Sequence, residues 1–453
     1  MFNVNDIAEI EITAYGSNGE GIAERDGCVF FVHGVAVGDI VKAKVEHVKK
    51  NIVFAKPIKL IKEGCGRTKP LCPVYGKCGG CQLQHLSYNE QLVFKQTLVK
   101  NNLAKIGGIN YNVPSVEPSG EIWRYRNKLN MPFGMKGCDI ISGLYKNDTH
   151  EIAPVDDCLL QQAWAKELVF IITDFMQKND ITAYDEKIRN GLLRHVVGRQ
   201  VDGQLLVILV INGEAFPNAE ILLEILKKKF GKVGLFVNIN KKNTNVILGE
   251  KTIHVGGLTE IKGEQYGVKF TLRPQSFYQV NESVKNKIYS KVKELLELDG
   301  VDILIDAYSG AGILSGAMHS EKYMTYGIEI EPSAVSDADD MKKNNGLVNL
   351  INICGDVENE LAKITENNYG KNIAIIVDPP RKGLGESVVN TIIKAKPKNI
   401  VYISCDSATL ARDLKMLVGG GYNITYLQPY DMFPQTKHVE TLMYLMQKDK
   451  IWR

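Results

Sequence analysis

Short runs in which apolar and polar residues alternate open the chain. Residues 10–13 and 39–47 carry the two-residue period of half-buried strands. Residues 28–37 and 52–58 are β-rich, and Gly16, Gly19, Gly21 and Gly27 punctuate the turns. About five short strands within the first 60 residues predict a small barrel of the OB kind, an architecture that often binds nucleic acid. Residues 65–81 show little regular pattern and read as a loop rich in Cys, Gly and Pro. The period then lengthens: Leu92, Val99 and Leu103 keep helical spacing behind Ser87. The Ser87 side chain can cap this helix while Glu90 completes a reciprocal capping box, and Gly107-Gly108 ends it. From about 120 to 265 strands and helices mix, with 123–133 and 205–211 as strands and 219–230 as a helix ending at Gly231.

The last part has the clearest grammar. Asn281 can cap a helix whose Val284, Ile288, Val292 and Leu295 fall on one face. Strands then alternate with helical patterns at 302–307, 325–330, 351–354, 373–378, 399–404 and 423–427. Such alternation predicts a mostly parallel sheet covered on both faces. The expected fold class is α/β in three units: an OB-like β-barrel over 1–60, a central α+β domain with the cysteine loop over 61–275, and a Rossmann-like domain over 276–453.

Composition narrows this picture modestly. With 44% apolar and 24% charged residues, the 453-residue chain reads as an ordinary globular protein. No secretory pattern opens it and its longest apolar runs are too short to span a bilayer, so a cytoplasmic protein without a membrane partner is expected. The net charge is only +3, but residues 41–111 hold thirteen Lys or Arg against Glu46, Glu63 and Glu90. That block suits a polyanion, or is a solvated surface. The nine cysteines should be thiols or ligands rather than disulfides, and four of them crowd between Cys65 and Cys81.

Candidate chemistry collects at strand ends. Asp306-Ala-Tyr308-Ser-Gly310-Ala-Gly312 is a glycine turn where a backbone can approach a ligand, or where a helix simply packs closely. Glu329 ends the next strand, where a carboxylate can accept from both hydroxyls of a ribose, and Asp356 follows the third at a position suited to an adenine. A glycine turn alone would equally admit a dinucleotide. The fourth strand separates the two readings: Asp378-Pro379-Pro380-Arg381 puts an acid before a rigid loop of the kind over which methyltransferases place a target base. Enzymes that methylate amines usually follow the prolines with an aromatic. Arg381 stands there instead, which argues against an exocyclic amine as acceptor. Carbon 5 of a pyrimidine is a poor nucleophile that becomes reactive when a thiolate adds to carbon 6, and a base must later remove the carbon-5 proton. Cys405, at the end of the fifth strand, and Glu440 supply those two groups. Amides at the following helix start could favour the thiolate.

With Asp378-Pro-Pro-Arg381, Ser404-Cys405-Asp406 and Thr436-Lys-His438-Val-Glu440 in this order, the chain resembles the bacterial RNA uracil-C5 methyltransferases. It is most similar to their ribosomal-RNA branch, RlmD or RumA and the RlmCD relatives. Residues 1–60 look like a TRAM domain. Cys78-Gly-Gly-Cys81-Gln-Leu-Gln-His85 resembles the family's cluster loop, and Phe277-Tyr-Gln279-Val-Asn281 its cofactor-and-substrate segment. The resemblance implies S-adenosylmethionine as methyl donor, Cys405 as nucleophile and Glu440 as proton acceptor. It implies Gln279, Tyr308, Glu329 and Asp378 as cofactor contacts with Asp356 near the adenine, and Arg381 and Phe277 as substrate contacts. Ile313 stands where some relatives have an asparagine, so no contact is carried over there.

The resemblance also implies a 4Fe–4S cluster on Cys72, Cys78, Cys81 and the distant Cys158, leaving Cys65 spare. Local spacing would instead choose Cys65, Cys72, Cys78 and Cys81 as a four-thiolate zinc site, and spacing does not decide the metal. Trp123-Arg-Tyr-Arg126-Asn-Lys128 mixes aromatics with cations, as unpaired RNA requires. The expected partner is 23S ribosomal RNA, with the T-loop uridine of transfer RNA second, because bacterial transfer-RNA enzymes generally lack the barrel and the cysteine loop. A monomer is expected. A non-catalytic RNA-binding assembly factor is the competing class, against which the intact Cys405, Glu440 and Asp378 speak.

Overall fold

The structure is a computed structural model that describes residues 2–147, 149–296 and 298–448. Its N-terminal unit is a six-stranded sheet running from Ile7–Glu11 at one edge to Ala14–Tyr15 at the other. These two strands are consecutive in the chain. Between them the Ile12 N–H donates to Asp39 O and the Thr13 N–H to Ile22 O, both at 2.9 Å, so one bent strand joins both edges and closes the barrel. Alternation explains its core: Ile10, Phe30, Val32, Val41, Val45 and Val53 point inward and are buried, while Lys42, Lys44, Lys56 and Lys59 face out. Much of the basic block is therefore barrel surface.

Helix Tyr88–Lys105 starts at Ser87, whose hydroxyl accepts from the Glu90 N–H. The reciprocal half of the expected capping box is absent. Glu90 accepts from the Tyr15 hydroxyl at 2.9 Å, and the Ser87 N–H goes to Gly66 O at 2.8 Å. A contact to the barrel thus replaces the local one. The helix packs on Ser407–Gly419 of the C-terminal unit rather than on the central sheet, with Val99 and Leu103 in the C-terminal core.

The central unit is a seven-stranded sheet with helices Ala163–Lys178 and Ala219–Phe230 on one face. Strands Lys128–Lys136, Leu193–Val201 and Gln204–Ile211 form its middle. The opposite face, with Val197, Leu206, Ile208 and Phe236, packs against Phe270, Tyr278, Ile313 and Met341, so both faces are covered. The strand expected over 123–133 begins only at Lys128. Residues 123–127 are irregular, because Arg124 takes a left-handed φ of 58° and Tyr125 turns inward to donate to Pro434 O at 3.1 Å.

The C-terminal sheet has the order Leu350–Cys354, Met324–Glu329, Ile303–Ala307, Ile373–Val377, Asn399–Ser404, Glu440–Gln447, Tyr422–Tyr430. The first five strands are parallel and only Glu440–Gln447 runs against its neighbours. Helices cover both faces, which is why Ile303–Ala307 and Ile373–Val377 are apolar runs buried throughout rather than alternating. The chain reverses its direction of strand addition between these two, and their carboxyl ends open a crevice. The strand Glu440–Gln447 was not among the expected elements. Among the described residues no helix is long and apolar enough to cross a membrane.

Two fully buried charges tie the units together: Lys95 on the helix pairs with Asp431, and its ammonium also donates to Phe433 O at 3.0 Å. Removing one partner strands the other charge in the interior. Lys95→Met should therefore cost about 3–5 kcal/mol of stability in denaturant unfolding, and the pair Lys95→Met, Asp431→Leu should recover most of it. A loss under about 1 kcal/mol for the single variant would show that the pair does not hold these units.

Candidate active site

The crevice holds a cavity of about 880 Å³ lined by Tyr308, Glu329, Asp356, Asp378, Cys405 and Glu440. Phe277, Gln279 and Arg381 line it too, so all nine residues singled out for catalysis and for cofactor or substrate binding share one space. Seven of them lie at or just beside strand ends, whereas Phe277 and Gln279 come from the segment that leads into helix Glu282–Leu295. After Ile303–Ala307 the backbone turns through left-handed conformations at Tyr308 (φ 70°), Gly310 (56°) and Gly312 (75°). Gly312 is also a packing glycine: an added Cβ would lie 2.8 Å from Met341 Cε and 2.9 Å from Ala338 Cβ. Glu329 closes the turn, its carboxylate accepting from the Gly310 N–H at 3.0 Å and the Glu331 N–H at 2.9 Å. Each carboxylate oxygen keeps a second lone pair for a diol. Asp356 caps helix Val357–Asn367 through the Glu358 N–H at 2.7 Å, which leaves its other oxygen for the cavity.

The second half of the site is built by register. Antiparallel pairing of Asn399–Ser404 with Glu440–Gln447 sets Ser404 against Thr441, and one further step brings Cys405 opposite Glu440. Glu440 is buried, not the exposed strand-end residue that the sequence alone would allow, whereas Cys405 is half-buried. Asp378 receives a long hydrogen bond of 3.5 Å from the Gln279 amide. The Arg381 guanidinium lies 3.2 Å from His438 Nε2, and burial beside Arg381 pushes His438 down to about 4, so its ring is neutral and can accept.

Burial dominates the electrostatics. It lifts Asp378 and Glu440 well above the ordinary carboxylate range, each further raised by a neighbouring carboxylate. Asp306, behind the first strand, is raised to about 7 by burial. The Cys405 thiol is pushed up to about 12 by burial, then by Glu440 and Asp378, with Arg381 pulling the other way. The expected help from the next helix is absent: the Asp406 carboxylate takes the Ala408 and Thr409 N–H groups at 2.9 and 3.0 Å. The resting site is thus a protonated thiol beside Arg381 and two buried, mutually repelling carboxyl groups, Asp378 and Glu440. A cationic ligand such as a sulfonium would relieve that repulsion, and the oriented Glu329 carboxylate fits its ribose.

Away from the cavity, Cys72, Cys78, Cys81 and Cys158 line one small void, walled by Leu144, Val155 and Leu160. Cys65 is exposed elsewhere. The cysteine loop reaches the catalytic loop directly, because the Gln82 and Leu83 N–H groups donate to Gln435 O at 3.1 and 3.0 Å. Gln91 donates to and accepts from Gln435 as well, both at 2.9 Å. Sequence reasoning missed these braces. Gln91, Lys95 and Val99 recur at helical spacing on one buried stripe, and two polar residues on it were the available signal. In the segment 123–128, Arg124 is committed to Asp157 at 2.6 and 2.7 Å and Tyr125 is buried, so neither is offered to RNA.

The family described as tRNA (Uracil-5-)-methyltransferase matches residues 87–448. The chain belongs to the RNA uracil-5 methyltransferase family. Residues 2–58 match the TRAM domain, as the resemblance implied. An uncharacterised RNA methyltransferase of Caldanaerobacter subterraneus is 39% identical over 96% of both chains, and one of Clostridium acetobutylicum is 38% identical over 98% of both. A solved structure, the Pyrococcus abyssi tRNA (uracil-54, C5)-methyltransferase in complex with S-adenosyl-L-homocysteine, is similar at a TM-score of 0.77 and 27% identity. It covers 97% of this chain and 99% of its own. This RNA uracil-C5 methyltransferase uses S-adenosylmethionine.

The site's charge gives a pH test. A thiol raised to about 12 stays protonated through neutrality, and its thiolate fraction grows tenfold per pH unit. Alkylation of Cys405 by iodoacetamide, followed on its own peptide by mass spectrometry, should rise steadily from pH 6 to 9 without levelling. A plateau below pH 9 would mean that the thiol is not raised.

Proposed function

We propose that Cys405 adds as thiolate to carbon 6 of a uridine, and that the resulting enolate takes the methyl group at carbon 5. The sulfonium leaves as S-adenosylhomocysteine, Glu440 accepts the carbon-5 proton, and the thiolate is then expelled. The observation that carries this reading is the register that faces Cys405 with Glu440 inside the cavity. A carboxylate whose pKa burial has raised is a stronger proton acceptor than a free one, and Arg381 is the cation beside the thiol that favours its ionised form. Gln279, Tyr308, Glu329, Asp356 and Asp378 hold the methyl donor. Phe277, 61% exposed at the cavity rim, offers a ring on which a flipped base can stack.

The target of this reading is a uridine of 23S ribosomal RNA, and the protein works in the cytoplasm. Support comes from the resemblance of the cysteine loop to that of the ribosomal branch, in which Cys72, Cys78 and Cys81, with the distant Cys158, would hold a 4Fe–4S cluster. Those thiols line one void, and their donor set suits an iron–sulfur cluster or, alternatively, zinc. Bound there, the cluster would tether the loop that braces Gln435 to the central unit. A second reading, the T-loop uridine of transfer RNA, is favoured by the Pyrococcus abyssi enzyme, which is described as acting on tRNA uracil-54 and spans nearly all of this chain. The barrel therefore does not separate the two substrates.

Cys405→Ala should abolish methylation. Glu440→Gln should cut turnover by about 10²–10⁴ and accumulate a protein–RNA adduct visible as a slower band on a denaturing gel. Full activity in Cys405→Ala would refute the covalent route. Mapping 5-methyluridine in a deletion strain should show its loss from large-subunit RNA; loss from transfer RNA alone would move the assignment to the second reading.

A further inference from the structure

Among the described residues, one buried cation has no hydrogen-bond partner on its side-chain nitrogens. Arg199 lies on the middle strand of the central sheet, on the face turned towards the catalytic unit, and is only 4% exposed. Its Nε, Nη1 and Nη2 atoms have no hydrogen-bond partner among the described residues. Asp337 is the nearby acid, but its oxygens are engaged by the Arg273 guanidinium, the Arg273 N–H at 3.1 Å and the Ser276 hydroxyl. Cross-strand register places Lys128 directly beside Arg199, so both side chains share one face. Lys128 is half-buried and has no ion pair of its own among the described residues. Burial, then Arg199 and Arg126, depress it to about 8. Arg199 is held down to about 10 by burial and remains charged at neutral pH.

Both cations line a void of about 10 Å³ with Gly198, Arg273 and Pro274, floored by Val197, Leu206 and Ile208. That is room for one oxygen-sized atom. Its position is informative. Pro274 is three residues from Phe277 at the rim of the catalytic cavity. Asn127, next to Lys128, donates through its side chain to Gln279 O and through its N–H to Val280 O, both at 3.1 Å.

We propose that Lys128 and Arg199 form a receptor for one backbone phosphate of the RNA strand, occupied as the target nucleotide passes Phe277 into the cavity. A non-bridging oxygen enters the void and the remaining oxygens meet Lys128 at its mouth. The guanidinium fork matches a phosphate's geometry, and the apolar floor excludes water that would weaken the contact. The unbound protein carries the cost of an unpaired buried charge, and the ligand relieves it. This assignment rests on the reading that the cavity receives a nucleotide.

The test uses Arg199→Met and Lys128→Met in the full chain, with wild type shown first to methylate its RNA. Absence of any methylation by wild type would count against the function, while RNA binding, measured separately, decides this site. Each variant should weaken RNA binding about tenfold and lower the slope of log Kd against log salt by about one, with S-adenosylhomocysteine affinity unchanged. The double variant should lose less than the product of the two, because both cations serve one phosphate. Arg199→Met should also melt no lower than wild type, since a structural arginine would lose stability. Unchanged RNA affinity and salt slope in Arg199→Met overturns the proposal. So does thermal stabilisation by millimolar inorganic phosphate that Arg199→Met abolishes while RNA affinity stays the same, which would assign the void to a small free anion.

Discussion

The catalytic arrangement depends on one register, that of Glu440–Gln447 against Asn399–Ser404. Because this final strand enters the sheet antiparallel, its first residue meets the carboxyl end of its neighbour, and Glu440 faces Cys405. A shift of one residue would turn Glu440 to the other face of the sheet and set Val439 or Thr441 opposite the thiol. Leu442, Met443, Tyr444 and Leu445 are all buried, so such a slip would also disturb packing on both faces. The core and the chemistry therefore enforce the same alignment.

The loop before Glu440 explains why the other units are attached as they are. It is irregular from Asp431 to Val439, includes the left-handed Gln435 (φ 69°), and could not hold a base in place by itself. Lys95 neutralises Asp431, Gln91 brackets Gln435, Tyr125 donates to Pro434 O, and two amides of the cysteine loop meet Gln435 O. Three segments distant in sequence fix one nine-residue connection. A helix that reads as part of the central unit is in this way an accessory of the catalytic one.

Legibility followed periodicity. The strands Ile303–Ala307, Met324–Glu329, Ile373–Val377 and Asn399–Ser404 were readable within about one residue, because each is a short apolar run bounded by turn residues and an acid or cysteine. Their ends located the pocket residues, since parallel sheets put function at carboxyl ends. Less of the rest was visible. Trp123 to Asn127 looked like a strand from composition, yet Arg124 bonds Asp157 and Tyr125 bonds the catalytic loop, contacts that no local pattern encodes. The capping box at Ser87 was half right because Tyr15, 75 positions away from Glu90, competes for the carboxylate. The expected activation of Cys405 by helix amides failed for a local reason: Asp406 occupies them. That residue was in view in the sequence, as a good N-cap one position after the cysteine.

The central claim is that the sulfur of Cys405 bonds to the pyrimidine during turnover. Presenting the wild-type enzyme and S-adenosylmethionine with RNA that carries 5-fluorouridine at the target blocks removal of the carbon-5 substituent and should freeze the adduct. Peptide mass spectrometry of the trapped complex should find the methylated fluoronucleotide on Cys405. A methylated product with no covalent complex, or a nucleotide attached to any other side chain, would contradict the account.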